Sequence, residues 1–202
     1  MAASAQTPEA RLGLRERKKL KTRTTIREAT YRLIQDRGYD ATTVEQIAEA
    51  AEVSPSTVFR YFPTKEDIVL TDEFDPILER ELRARPADES LIESLRHVID
   101  RSLHLAQESD GPEVSRLRTR LQVEVPAVRS RMMESMSVTG QMVCRVLAER
   151  TGRDAGDLEI RVYAMAVIGA LMEATMYWAE HGHEGELRDL ATRALDTLQN
   201  GL

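Results

Sequence analysis

Residues 44–62 read VEQIAEAAEVSPSTVFRYF, and this stretch decides the fold. Val44, Ile47, Ala48 and Ala51 recur at helical spacing along one side. Thr43, just upstream, has the hydroxyl of a helix cap, and Gln46 three residues later completes a capping box. Glu52-Val53 interrupts the pattern. Ser54 then caps a second helix with Pro55 at its first position, where a missing N–H does no harm. Phe62-Pro63 closes that helix, because a residue before proline avoids the helical region. The spacing therefore predicts two helices joined by a tight turn, the second short and spanning 55–61, with Ile47, Ala48, Val53 and Val58 locking them together. The second helix starts with Ser54, Pro55, Ser56 and Thr57 and also carries Arg60 and Tyr61. A helix this small and polar can enter the DNA major groove, about 12 Å wide, with its first residues against base edges.

Upstream, a helix is expected over 15–37. Ile26, Ala29, Thr30, Leu33 and Ile34 form its buried stripe, and Gly38 stops it. This segment is also where the charge concentrates. The whole chain is −6, yet residues 11–37 hold ten Lys or Arg against three acids. Residues 1–62 come to +3, leaving −9 for the remainder. A basic head on an acidic body is the asymmetry of a protein that meets a polyanion at one end only. Lys18 and Lys21 are candidate phosphate contacts. So are Thr42 and Thr43, which stand at a helix N-terminus where free amides and the dipole favour an anion. Residues 1–14 are expected to be a disordered arm.

Downstream, Thr64 caps a fourth helix with Asp67 three residues on. That helix is expected to reach Arg83 or Arg85, with Pro76 forcing a kink or break near Phe74-Asp75. Further helices are expected over 88–109, 113–123, 126–150, 157–181 and 184–199. Asp110-Gly111-Pro112, the Gly152–Gly156 segment and Gly182 supply the breaks. No alternating strand pattern appears. Aromatics at 4% with few Gly and Pro agree with an all-α chain of about nine helices. The expected organisation is an N-terminal three-helix helix-turn-helix domain over 15–63 and a C-terminal helical ligand-binding and dimerisation bundle over 64–202.

Several classes are disfavoured. No Gly-rich phosphate loop, paired-His metal motif or Ser-His-Asp set stands out, so an enzyme, a cofactor and a metal site are not expected. No leader peptide is expected from the polar N-terminus. The longest apolar run, Val162 to Met172, is shorter than the roughly 20 residues a bilayer needs. Cys144 is the single cysteine, which fits a reducing cytoplasm.

Gly38-Tyr39-Asp40-Ala41-Thr42-Thr43-Val44, Ile47-Ala48, Ala50-Ala51-Glu52-Val53-Ser54, Thr57-Val58-Phe59-Arg60-Tyr61-Phe62 and Lys65-Glu66 fit one pattern in register. Together they resemble the TetR family of repressors over residues 18–70. Ser56 stands where that family often has Gly. Phe59 stands where it often has Tyr, which removes one phosphate hydrogen bond. Pro55-Ser56 with Arg60 resembles the actinobacterial subgroup that includes mycofactocin-type regulators. The resemblance implies a one-component regulator that binds a palindromic double-stranded DNA operator as a homodimer and is released by a small apolar effector. It also implies that Lys65 binds phosphate. Ligand binding would shift the fourth helix and move the two DNA-reading ends out of register with successive major grooves, about 34–36 Å apart. An activator, or a helical adaptor without DNA binding, stays open as an alternative.

The C-terminal half supplies candidates for the other two partners. For the dimer interface these are Val162, Met165, Ile168, Gly169, Leu187, Leu190, Ala194 and Leu198, on two helices that would form a four-helix bundle with a second copy. For the effector they are His97, His104, Met133, Met136, Met142, Met172, Met176 and Tyr177. Seven of the eight methionines fall between 132 and 176, and thioethers suit adaptable apolar sites as well as ordinary cores.

Overall fold

The computed structural model describes residues 14–70 and 75–202. The expected N-terminal arm lies outside these residues except for Leu14, as does Phe74 at the expected break. The chain divides into two compact units with the boundary between Val69 and Leu70. All the regular structure among the described residues is helical.

The first unit, the head, contains α1 (Leu14–Arg37), α2 (Val44–Ala50), α3 (Pro55–Tyr61) and α4 (Lys65–Val69). Its core is the predicted one: Ile26, Ala29, Ile47, Ala48 and Val58 are almost completely buried, joined by Phe62 and Ile68. The expected fourth helix is in fact two helices, and the first belongs to the head. Ile68 lies in the head core, and the Val69 carbonyl accepts the Tyr31 hydroxyl at 2.9 Å. These contacts carry the head past the expected limit at residue 63.

The second unit, the body, contains α5 (Asp75–Ala84), α6 (Leu91–Glu124), α7 (Pro126–Thr151), α8 (Leu158–Glu180) and α9 (Leu187–Asn200). Pro76 sits at the start of α5 rather than inside a longer helix, a position proline tolerates. Ser90, not Asp88, caps α6, accepting the Glu93 amide at 3.3 Å. As expected, α6 is two helical limbs that meet at a kink, where Gly111 takes φ 73 and ψ 168 outside the helical region. The helix α9 begins at Leu187, later than expected, because Gly182, His183 and Gly185 all adopt left-handed φ.

In the body, α8 packs against α6, α7 and α9. Leu82, Leu95, Val146, Leu147, Ala164, Val167 and Leu195 form the core around it. A Cβ on Gly140 of α7 would lie 2.6 Å from Met165 Sδ of α8, so glycine permits this approach. Unlike the eleven-residue run, α8 is long and apolar enough to cross a membrane by length and composition alone. Here Ile160, Ala164, Val167, Ala174 and Trp178 bury part of that surface within the body.

Candidate nucleic-acid interface and effector cavity

The α2–turn–α3 segment is fixed by its own caps. Thr43 Oγ1 accepts the Gln46 amide at 3.3 Å and Gln46 Oε1 accepts the Thr43 amide at 3.1 Å. The turn passes through Glu52 at φ 55, and the Val53 amide returns to the Ala48 carbonyl at 2.9 Å. Ser54 Oγ accepts the Thr57 amide at 3.1 Å and lies 2.9 Å from both Ser56 Oγ and Thr57 Oγ1. Those two contacts engage two of the three hydroxyl protons, leaving one O–H and several lone pairs for a further partner. Ser54, Pro55 and Ser56 are exposed and Thr57 is half-buried.

On α3, Val58 turns inward and Arg60 outward. The Arg60 guanidinium lies 5.3 Å from the centre of the half-buried Tyr61 ring. Phe59 is 50% exposed. It is not among the expected contacts, because it lacks the phenol that would donate to phosphate. Lys18 and Lys21 are exposed on α1, and Thr43 is exposed at the start of α2.

Two expected phosphate contacts sit differently. Thr42 is 1% exposed, and its hydroxyl donates to the Gly38 carbonyl at 2.8 Å, so its side chain is withdrawn from any ligand. Lys65 Nζ donates to the carbonyls of Tyr39 at 3.0 Å and Thr42 at 3.1 Å, and stands 3.9 Å above the Tyr39 ring. Two of its three donors are thus engaged within the head, where they tie the α1–α2 loop to α4. Tyr39 adds a hydrogen bond to Glu66 at 2.6 Å. Burial, with the Glu66 carboxylate beside it, pushes the Tyr39 phenol up. Burial also works to raise the Glu66 carboxyl, but donation from Tyr39, its own amide and Thr64, with Lys65 adjacent, holds it below the ordinary carboxylate value.

The body carries largely apolar, partly open cavities. One cavity of about 200 Å³ is walled by Leu82, Leu95, Val98, Met142, Val143 and Val167 among others. A second, of about 340 Å³, shares Leu78, Leu103, Thr139, Ile168, Leu171 and Leu187 with it. Its remaining wall adds polar groups, Ser115, Arg118, Thr119, Gln122 and Ser135, beside Met132, Met136, Met172 and Trp178. Of the expected effector residues, Met136, Met142 and Met172 do line this space. The others do not. His97 lies in a charged groove with Arg96, Asp100 and Arg188. His104 and Met133 are exposed, Met176 lines neither cavity, and Tyr177 stacks on His181 with ring centres 3.8 Å apart.

The expected dimer residues also divide. Val162, Met165 and Leu198 are exposed at 57%, 44% and 45%. Val162 and Leu198 line one groove with Leu158. Gly169, Leu190 and Ala194 are half-buried. Ile168 of α8 and Leu187 of α9 are also half-buried and line the cavity.

This architecture has relatives. Residues 26–71 match the model of bacterial regulatory proteins of the tetR family, and residues 89–202 match that of the MftR C-terminal domain. The chain belongs to the TetR family. This TetR-family regulator is 32% identical to the HTH-type transcriptional regulator TcmR of Streptomyces glaucescens, over 77% of this chain and 74% of that one. A solved structure of FadR from Bacillus subtilis in complex with stearoyl-CoA superposes with a TM-score of 0.61 at 23% identity, covering 88% of this chain and 98% of that one. FadR of Thermus thermophilus in complex with lauroyl-CoA gives 0.57 at 22%, covering 89% and 94%. The regulator therefore combines the family's DNA-binding helix-turn-helix head with a helical C-terminal domain.

Proposed function

We propose that this regulator is a repressor, that two copies hold a two-fold operator, and that an amphipathic effector in the body cavity releases them. The observation that carries the reading is the pairing of a capped, outward-facing α3 with a cavity that is apolar at one side and polar at the other. On α3, Ser56, Thr57, Phe59 and Arg60 are the base-reading candidates. Thr43, Tyr61, Lys18, Lys21 and the third donor of Lys65 are the backbone-gripping ones. Phe59 lacks a phenol and suits a thymine methyl, an apolar contact of the major groove. Val162, Met165 and Leu198 supply an apolar face for a second copy, and one recognition helix makes too few contacts for specific binding alone. The reading places the protein in the cytoplasm with its DNA, in keeping with a buried free thiol at Cys144.

The effector reading follows from the cavity walls. Met142, Val143 and Val98 suit an apolar chain, while Arg118, Gln122 and Ser135 suit a polar or anionic head. Because two FadR structures hold lauroyl-CoA and stearoyl-CoA, acyl thioesters are the first class to try. Release works by differential affinity: an effector that weakens operator binding by some factor must itself bind the operator-bound protein more weakly by the same factor.

The test is a selection from a random-sequence duplex pool at low salt, followed by gel shifts with and without lauroyl-CoA. The expected result is a two-fold symmetric site bound by a dimer and released by the thioester. Failure to enrich any sequence, or a monomer mass in light scattering on the complex, sinks the operator reading. Unchanged binding across a series of apolar and acyl compounds sinks the effector reading. Transcripts beside the site should rise when the chain is deleted, and a fall would make it an activator.

A further inference from the structure

The recognition helix has only seven residues, so something must hold its C-terminal end. The last carbonyls of any helix lack partners within it. At this end the Phe62 amide returns to the Val58 carbonyl at 2.8 Å, and Phe62 itself leaves in extended conformation with its ring fully buried. The Tyr61 carbonyl is met from another element: Arg23 Nη1, on α1 and 38 residues away, donates to it at 3.1 Å. The same guanidinium lies over the Phe62 ring, 4.4 Å from its centre. A planar cation holds a carbonyl at its edge and an aromatic ring under its face together, a fork-and-face geometry that a lysine at this position would not reproduce.

We infer that Arg23 is a positioning residue for DNA reading and that its charge is not a phosphate contact. It lies in the most basic part of the chain, two residues after Lys21, where composition alone would assign it to the DNA backbone. The contacts with the Tyr61 carbonyl and the Phe62 ring instead fix the end of α3 against α1. The helix α1 carries Lys18 and Lys21 on its exposed surface, and α3 carries Phe59 and Arg60. Arg23 therefore sets the register between the side chains that grip the backbone and those that reach base edges. Phosphate contacts give salt-dependent affinity without sequence information, while base contacts give discrimination. Loss of a register-setting group should cost discrimination and leave the electrostatic attraction in place.

The inference rests on the head binding DNA, so the probe is a duplex that the unaltered protein itself recovers from a random pool, compared with a bulk random-sequence duplex. If the unaltered protein recovers none, the operator reading fails, and the Arg23 inference is decided by hydrogen exchange in the DNA-free protein. There, Arg23→Ala and Arg23→Lys should speed exchange at the α3 amides while leaving those of the body unchanged. With DNA, both variants should lose about tenfold in affinity for the recovered duplex, the scale of one charge-assisted hydrogen bond. Random-duplex affinity and its slope against log salt should stay as in the unaltered protein. Arg23→Lys should fail like Arg23→Ala although it keeps the charge. The inference is overturned if Arg23→Ala weakens both duplexes in parallel and flattens the salt slope by about one unit while Arg23→Lys restores both. Unaltered α3 exchange in both variants overturns it equally.

Discussion

Head and body are both helical, but they treat their interiors in opposite ways. In the head, Ile26, Ile47, Val58 and Ile68 are 0% exposed and Phe62 is 1% exposed, and the caps at Thr43 and Ser54 with cross-element bonds from Tyr31 and Arg23 hold the elements around them. In the body, longer helices converge on α8 and leave cavities of about 200 and 340 Å³. The difference teaches a division of labour. Reading DNA requires side chains held in one register, which close packing and local caps provide. Accepting a ligand requires unfilled volume, which costs packing energy until something occupies it.

The strongest way to break that contrast is Phe62→Ala. Removing a fully buried aromatic should cost the head about 3–5 kcal/mol and abolish operator binding. Hydrogen exchange should show the loss confined to residues 14–69, with the body's amides unchanged. Equal loss of protection in both units would show that they are not separate bodies energetically.

A smaller effect is expected from Arg60→Ala, which should lower operator affinity by about 1–3 kcal/mol and relax selectivity at one base position. Effector affinity of the DNA-free protein, read by calorimetry, should not move. A uniform loss across all sequences would make Arg60 a phosphate contact.

Below this comes Thr43→Ala. The capping box should be worth about 1 kcal/mol to the head, seen as faster exchange in α2 with no change in the body. Full retention of protection there would mean that tertiary packing alone holds α2.

The smallest effect concerns pH and the body. His183, in the α8–α9 turn, lies 2.8 Å from Thr119 Oγ1 and edge-on to Trp178, both of which line the larger cavity. Burial, then the charges of Arg116 and Arg120, push its imidazole below the ordinary histidine value. The unfolded chain thus takes up the proton first as pH falls below about 6.5, so this contribution is intact above that value and is lost toward lower pH. Melting temperature followed from neutral to mildly acidic pH should fall more steeply in the unaltered protein than in His183→Gln. Identical slopes would remove His183 from the account.

What could be read from the sequence follows the same division. The caps at Thr43, Ser54 and Thr64 and the stripe on α1 were legible because each depends on residues three or four apart. The second role of Lys65, tying the loop before α2 to α4, is not legible in the sequence because its acceptors, the carbonyls of Tyr39 and Thr42, are 26 and 23 positions away. Thr42 was misread because one-dimensional spacing does not say which hydroxyl the loop will bury. The cavity was only half legible. The methionine cluster pointed to Met136, Met142 and Met172, but Leu78, Ile168 and Leu187 join the wall only once helices far apart in sequence meet. Phe59 is left out for a chemical reason, since without a phenol it offers phosphate nothing, and only its exposure shows an apolar group on the outer face of α3.

The kink in α6 has a geometric consequence. Thirty-four residues of unbroken helix would make a rod roughly 50 Å long, and a straight rod touches a rounded chamber along only one line. Articulated at Gly111, the helix presents Ser102, Leu103 and Ala106 from one limb and Ser115, Arg118, Thr119 and Gln122 from the other to the same chamber. The angle between the limbs is thus set at one residue whose left-handed φ glycine adopts without strain, while each limb keeps its own ladder of hydrogen bonds.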